Sequence, residues 1–464
     1  MPDPRDLAAR LLDDDASLSE AADDWGHMVH QRPRAVVRPR SREELVAIVE
    51  HARAQGLKLA ARGRGHSVLG QAQAEDGLVL DMRSLNAIAS IDSDSDSVWV
   101  EGGASWRELL ELSLAKGLAP PVLTDYLDLS VGGTLSVGGL GSQTFRAGLQ
   151  VDNVLELEVV TGEGEVSSCS ATDKRELFDL VRGGLGQFGL ISRARLRLEP
   201  TPPMARFTRL LYSELEPFLA DMFELTRAAR CTCVEGFALP NSPEGVAQVT
   251  GDAFPDAALP VGEGAWIYMI EVVQTFAPGE EPDSSALPET ALGGGRHQMD
   301  LPYAAYLARL DLVEAALREV GLWAAPHPWI DVFVPRSAAP EFLRDELAAT
   351  SPMDVAGPVL IYAFNRAPIA APNIPLPASE EFVLFALLRN AVPPTPERAQ
   401  ELMRANARLY AHCLELGGTG YAIDAVPLEP SGWRRHFGER WSTLAEAKRR
   451  YDPAAILAPN QRLV

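Results

Sequence analysis

Gly63-Arg64-Gly65-His66-Ser67 is a short polar loop between two apolar runs, and its reading decides the fold. The glycines let the backbone turn tightly and approach a ligand closely. The imidazole of His66 is a nucleophile held at the loop tip, so the segment can cradle a cofactor and also bond to it. A lone loop histidine is more often simply solvated. The loop is not a dinucleotide fingerprint, because Val68 stands where a third glycine is required, and the Gly-Lys-Ser/Thr ending of a nucleotidase loop is missing. Two further glycine clusters follow, Val131-Gly132-Gly133-Thr134-Leu135-Ser136-Val137-Gly138-Gly139 and Gly183-Gly184-Leu185-Gly186-Gln187-Phe188-Gly189. Backbone N–H groups exposed by such small side chains wrap a pyrophosphate. Close packing of strands is the competing use.

Around these loops the pattern alternates between helix and strand. Ser41 with Glu44 forms a capping box before Leu45, Ile48, Val49 and Ala52 at helical spacing, and Gly56 ends that helix. Leu57–Ala61 is a short strand leading into the loop. Ser105 with Glu108 starts a second helix that Gly117 ends. Val154–Val160, Gly162-Glu163-Gly164 and the run from Val166 form a hairpin. Ala194, Leu196 and Leu198 alternate with Arg193, Arg195 and Arg197, as in a half-buried strand. Pro200, Pro202 and Pro203 mark a boundary. Beyond it the chain has longer helical stretches and further strands, with proline-rich breaks at Pro278–Pro288 and Ala367–Pro377. The apolar, proline-rich segment 366–378 reads as a lid or an interface loop.

The 464 residues suffice for two to three domains. The net charge of −22 repels polyanions, which argues against nucleic acid as a partner. No run of eighteen apolar residues marks a membrane helix, and the acidic start lacks the form of a signal peptide, so a cytoplasmic location is expected. Cys169, Cys231, Cys233 and Cys413 read as free thiols, and Cys231-Thr232-Cys233 is too tight for zinc, so no metal is expected.

The His66 loop with Ser67-Val68-Leu69-Gly70-Gln71 resembles the flavin-attachment loop of the cytokinin dehydrogenases, in the vanillyl-alcohol-oxidase superfamily. Thr124-Asp125-Tyr126-Leu127, Val151-Asp152-Asn153-Val154, Val160-Thr161-Gly162 and Leu185–Ala194 continue the likeness. So do Pro326–Ile330 with Val334–Ser337, Trp433–Gly438 and Tyr451–Gln461. The resemblance spans nearly the whole chain. It implies an α+β fold of two domains: an FAD-binding domain of the PCMH type over residues 1–200, completed by the C-terminal segment 431–464, and a substrate domain over 201–430.

The same resemblance implies FAD joined covalently to His66. It places Arg62, Gly63, Arg64, Gly65, Ser67, Gln71, Asp125, Ser130, Gly132, Gly133, Ser136, Leu140, Leu190, Ile191 and Gln461 on the cofactor. Asp125 is the implied catalytic base, although Asp before a glycine-rich run is commonly a turn or cap. Glu271, an acid in the apolar run Ile267–Val273, is its implied partner; an exposed strand face is the alternative. Trp329 and Trp433 are candidates for the substrate wall or for core packing, as is Phe333. Asp331 stands where the family often has asparagine and either binds a purine edge or faces water.

Tyr421-Ala422-Ile423-Asp424 stands where the resemblance implies a Tyr-Leu pair near the flavin ring. On one alignment Asp424 takes an apolar position against the isoprenoid tail, where an unpaired carboxylate is costly. The implied activity is oxidation of the allylic secondary amine of N6-substituted adenines, with oxygen or a quinone as electron acceptor and a monomer as the working form. An oxidase of another amine or alcohol is the second reading, and a non-catalytic flavin protein the third. No cysteine lies near Val137–Gln143, so a second flavin bond is not expected.

Overall fold

The computed structural model describes residues 11–92, 94–250, 264–288, 296–355, 357–461 and 463. Residues 1–10, the start of the acidic N-terminus, lie outside them.

The N-terminal part carries three small sheets. β1 (Ala35–Val37), β2 (Leu59–Arg62) and β3 (Leu78–Asp81) form a parallel sheet in the order β1-β3-β2. β4 (Ser97–Glu101), β6 (Val154–Val160), β7 (Val166–Ser170) and β8 (Leu190–Arg197) form an antiparallel sheet in the order β4-β8-β6-β7. β5 (Leu118–Ala119) and β9 (Glu199–Pro200) close a two-residue ladder.

The helix Arg42–Gln55 buries Leu45, Ile48, Val49 and Ala52 and ends at Gly56, whose φ is 65°. Ser41 caps it by accepting the Glu44 N–H at 3.3 Å. The Glu44 carboxylate accepts from Arg40 N at 2.9 Å, so the reciprocal bond falls one residue upstream of the expected box. The expected box at Ser105 and Glu108 is complete. On β8, Ala194 and Leu196 are buried while Arg193 and Arg197 face outward, and Arg193 meets Glu158 at 3.1 Å.

The second part is built on one antiparallel eight-stranded sheet. Its strands are β10 (Met204–Tyr212), β11 (Cys233–Pro240), β12 (Trp266–Phe276), β13 (Arg296–Pro302), β14 (Ile330–Pro335), β15 (Val359–Asn365), β16 (Glu381–Leu387) and β17 (Thr419–Gly420), ordered β13-β10-β12-β11-β15-β16-β14-β17. Residues directly opposite in a ladder point to the same face. The pairs Asp331↔Ala386↔Leu360↔Phe237 and Phe333↔Leu384↔Tyr362 therefore share one face. Glu235↔Glu271↔Arg209 lies on that face too, because Glu235 is two residues from Phe237.

Two segments tie the parts together. The C-terminal segment returns to β2, with Leu59 N donating to Ile456 O at 2.8 Å and Ala458 N to Leu59 O at 3.1 Å. Lys448 and Asp452, both buried, meet at 2.7 Å beneath it. The proline-rich segment 366–378 is a seam: buried Asn373 donates to the carbonyls of Asp179, Leu180 and Arg182 at 2.7–3.1 Å. All four cysteines are buried and free. Among the described residues no helix is long and apolar enough to cross a membrane.

Candidate active site

The His66 loop leaves β2 and is clasped by an N-terminal segment that the sequence reading did not single out. Trp25 N donates to Gly65 O at 2.8 Å and Gly26 N to Ser67 O at 3.1 Å. Buried Asp24 accepts through Oδ2 from Ser67 Oγ at 3.0 Å and from Gly70 N at 2.7 Å. The Trp25 indole stacks on His66 at 4.7 Å and on His327 at 4.0 Å. Tyr126 stacks on His66 at 4.9 Å, and Trp329 meets it edge-on at 5.8 Å. Burial, and then the neighbouring His327, lower the His66 pKa to about 3. The imidazole is therefore neutral, the nucleophilic form.

The backbone N–H groups of Gly63 to Ser67 meet no acceptor among the described residues. Consecutive free N–H groups make an anion cradle. The cradle has room for no side chain, since a Cβ on Gly63 would sit 1.9 Å from Ser130 Oγ and one on Gly133 2.7 Å from it. Gly65, at φ +71°, lies over the Arg62 guanidinium. The loop and the helix Val131–Val137 thus converge at Ser130, and these residues fit a bound pyrophosphate.

The other expected cofactor residues divide. Gln71 and Gln461 line a cavity of about 300 Å³ between the loop and the second part, together with Tyr421, Asp424, Trp433 and His436. Leu140 is half-buried, Leu190 and Ile191 lie buried on β8, and Arg64 is exposed. The Ser136 hydroxyl donates to Gly132 O at 2.7 Å within its own helix. The second glycine cluster, Gly183–Gly189, serves packing rather than a cradle. A Cβ on Gly184 would meet Leu180 O at 1.9 Å, and one on Gly189 would meet Val159 at 2.3 Å. Gly183 N and Leu185 N donate to Leu135 O and Ser136 O, bracing the first cluster from behind.

Asp125 lies at the boundary with the second part. Its Oδ1 accepts from Arg309 Nη2 at 3.0 Å and its Oδ2 from Tyr362 Oη at 3.1 Å. The carboxylate beside it is Glu235, which accepts from the same Arg309 nitrogen at 2.6 Å. This corrects the expected partner: Glu271 lies one strand further along, buried, and is bonded to Arg209 at 2.7 Å. Glu235, in Cys233-Val234-Glu235-Gly236-Phe237, carried the same signal as Glu271, an acid amid apolar residues. Strand order, which the sequence does not print, chooses between them. Burial, then Asp125 and Glu271 as like charges, hold the Glu235 pKa well above the carboxylate range, with Arg309 opposing. Burial opposes the Arg309 charge, yet Glu235, Tyr306 and Asp125 raise its pKa further above its ordinary value. Glu235 therefore holds its proton more tightly than an ordinary carboxyl, and Arg309 stays a cation beside it. Both Asp125 oxygens keep a lone pair for a further donor.

Asp331 does not face water: it is 6% exposed, and its backbone N donates to Asp424 Oδ1 at 2.7 Å. Trp433 is 8% exposed and stacks on Phe437, but its edge borders the cavity. Phe333 is core, packed on Phe382 and Tyr421. The Tyr421 hydroxyl accepts from Gly139 N at 3.0 Å, joining the first glycine cluster to the second part.

Residues 33–170 match an FAD-binding domain family, and residues 202–464 match the family described as cytokinin dehydrogenase 1, FAD and cytokinin binding. The chain is 36% identical over 453 residues to an uncharacterised oxidoreductase, ORF5 of the fasciation locus, from Rhodococcoides fascians, covering 97% of this chain and 98% of that one. It is 35% identical over 480 residues to cytokinin dehydrogenase 1 of Arabidopsis thaliana, covering 99% and 83%. It is 37% identical over 492 residues to cytokinin dehydrogenase 5 of Oryza sativa subsp. japonica, covering 97% and 90%. With the two-part architecture, the N–H cradle and the carboxylate at the domain boundary, these matches show that the chain belongs to the cytokinin dehydrogenase family of FAD-dependent oxidoreductases.

Proposed function

We infer that the chain oxidises the allylic secondary amine of N6-substituted adenines such as isopentenyladenine and zeatin, and that water then hydrolyses the resulting imine to adenine and an aldehyde. The observation that carries this reading is Asp125, fixed by Arg309 and Tyr362 where the sheet face meets the His66 loop. When bound, FAD supplies the hydride acceptor. Asp125 takes the proton of the substrate N–H as the hydride leaves carbon. Tyr362 and Arg309 keep its oxygens aimed at the boundary, and Glu235 holds its own proton instead of competing. Trp329 forms the wall beside a planar ring. Neutral His66 is the attachment point for a covalent flavin, because its unprotonated nitrogen is nucleophilic. Oxygen or a quinone takes the electrons onward, and the protein acts as a monomer in the cytoplasm.

A second reading, oxidation of another amine or alcohol, is favoured by Asp424, a carboxyl bordering the cavity where the family resemblance implies an apolar contact. Anaerobic mixing of the flavoprotein with isopentenyladenine separates the two. Bleaching of the flavin absorbance with release of adenine supports the adenine reading. A flavin that dithionite reduces and isopentenyladenine does not would exclude it.

A further inference from the structure

Segment 421–425 wraps the start of β14. Tyr421 N donates to Asp331 O, Ala425 N to Trp329 O, both at 2.9 Å, and Asp331 N to Asp424 Oδ1 at 2.7 Å. This brings the two carboxyl groups within hydrogen-bonding reach of each other. No arginine or lysine among the described residues acts on either of them. Burial raises the Asp331 carboxyl, and burial followed by Asp331 raises Asp424. Two adjacent carboxyls without a counter-cation oppose each other's ionisation, so the pair holds protons more tightly than a lone carboxyl does. Asp331 Oδ2 is buried and has no partner among the described residues.

A second observation lies at the wall of the same cavity. His436 borders it, is 8% exposed, and its Nε2 has no partner among the described residues. Burial keeps this imidazole neutral by lowering its pKa to about 4. The wall of the cavity thus carries a carboxyl pair able to accept and an imidazole. A hydroxyl, donor and acceptor at once, matches both. The distance also suits a substituent. Asp331 is two strands from the row of Tyr362, the phenol on Asp125, which is roughly 10 Å at ordinary strand spacing.

We propose that Asp424, backed by Asp331, and His436 form a polar subsite that selects substrates whose substituent ends in a hydroxyl over those ending in plain hydrocarbon. The proposal rests on the adenine reading for the rest of the substrate. It is tested by dissociation constants, read from perturbation of the flavin absorbance of the oxidised holoenzyme. The paired ligands are zeatin against isopentenyladenine, and an N-alkyl amine against its terminally hydroxylated analogue. The wild type is expected to favour the hydroxylated member by at least about tenfold, since a site built for a hydroxyl leaves polar groups unpaired without it. Asp424→Leu and His436→Phe are each expected to bring the ratio to one or reverse it, and Asp424→Asn serves if Leu fails to fold. A ratio near one in the wild type, or one unchanged in the variants, overturns the subsite. Variants that shift the flavin spectrum and leave the ratio unchanged assign these groups to the cofactor and overturn it equally. If neither adenine binds but the amine pair shows the ratio, the adenine reading fails and the subsite stands.

Discussion

Asp125 and Glu235 share one guanidinium nitrogen: Arg309 Nη2 lies 3.0 Å from Asp125 Oδ1 and 2.6 Å from Glu235 Oε1. One cation between two carboxyls divides their roles: burial raises the pKa of the deeper Glu235, and Asp125 is the base in the proposed reaction. Asp125→Asn is expected to bind FAD normally and to slow anaerobic flavin reduction by at least about a hundredfold, in the usual range for a lost general base. Glu235→Gln mimics the protonated form and is expected to stay within about tenfold of wild type. Equal losses in the two variants would remove this division.

Glu271 has a different duty. Its pair with half-buried Arg209 makes Glu271→Gln a stability variant, expected to cost roughly 1–3 kcal/mol by taking the charged partner from that guanidinium. Thermal denaturation reads that loss. Flavin reduction in the folded fraction should stay within a few-fold of wild type, and a rate defect as deep as that of Asp125→Asn would restore Glu271 to the chemistry.

His66→Ala is expected to release its flavin into the supernatant on acid precipitation, while the wild-type flavin stays with the protein pellet. Wild-type protein that gives up all its flavin under acid would end the covalent reading. The stack of Trp25 and Tyr126 on His66 predicts that the variant still folds, since the two rings keep their other contacts.

Two buried histidines help set the acid side of stability. Burial lowers His327 and His436 to about 4, from 6.5. Between those values the unfolded chain binds more protons than the folded one, so stability rises with pH up to about 6.5 and is lost as pH falls. Asp24, raised to about 6 mainly by burial, acts in the opposite sense, because there the folded state holds the extra proton. His436→Phe is therefore expected to lose less Tm than wild type on acidification from about pH 6.5 to 4. Parallel Tm profiles would show that His436 titrates no differently in the folded and unfolded states.

Much of this site was legible in the chain because its signals are local. The His66 loop, the first glycine cluster and Asp125 lie within seventy-seven positions of one another, and their spacing is kept by short helices and strands whose caps can be read directly. What could not be read is what lateral strand order decides. Glu235 and Glu271 carry the same pattern, and only the ladder β12-β11-β15 puts the former beside Tyr362 and Asp125. Arg309 follows the short helix Tyr303–Leu307 and has no motif around it. Asp24 and Trp25 sit thirty-eight or more positions before the loop they hold. The second glycine cluster, Gly183–Gly189, misled in the usual way, since a glycine needed for close packing and one needed for a ligand look alike in sequence.

The parity of the sheet carries a consequence for how this protein can change over evolutionary time. Asp331, Tyr362, Glu235 and Glu271 share a face only because their strands keep register to the residue. Insertion or loss of a single residue within β11, β14 or β15 would turn the functional side chains of that strand into the opposite layer. New substrate ranges are thus accessible by point replacement on this face, or by lengthening the connections between strands, while the strands themselves tolerate length changes only in steps of two.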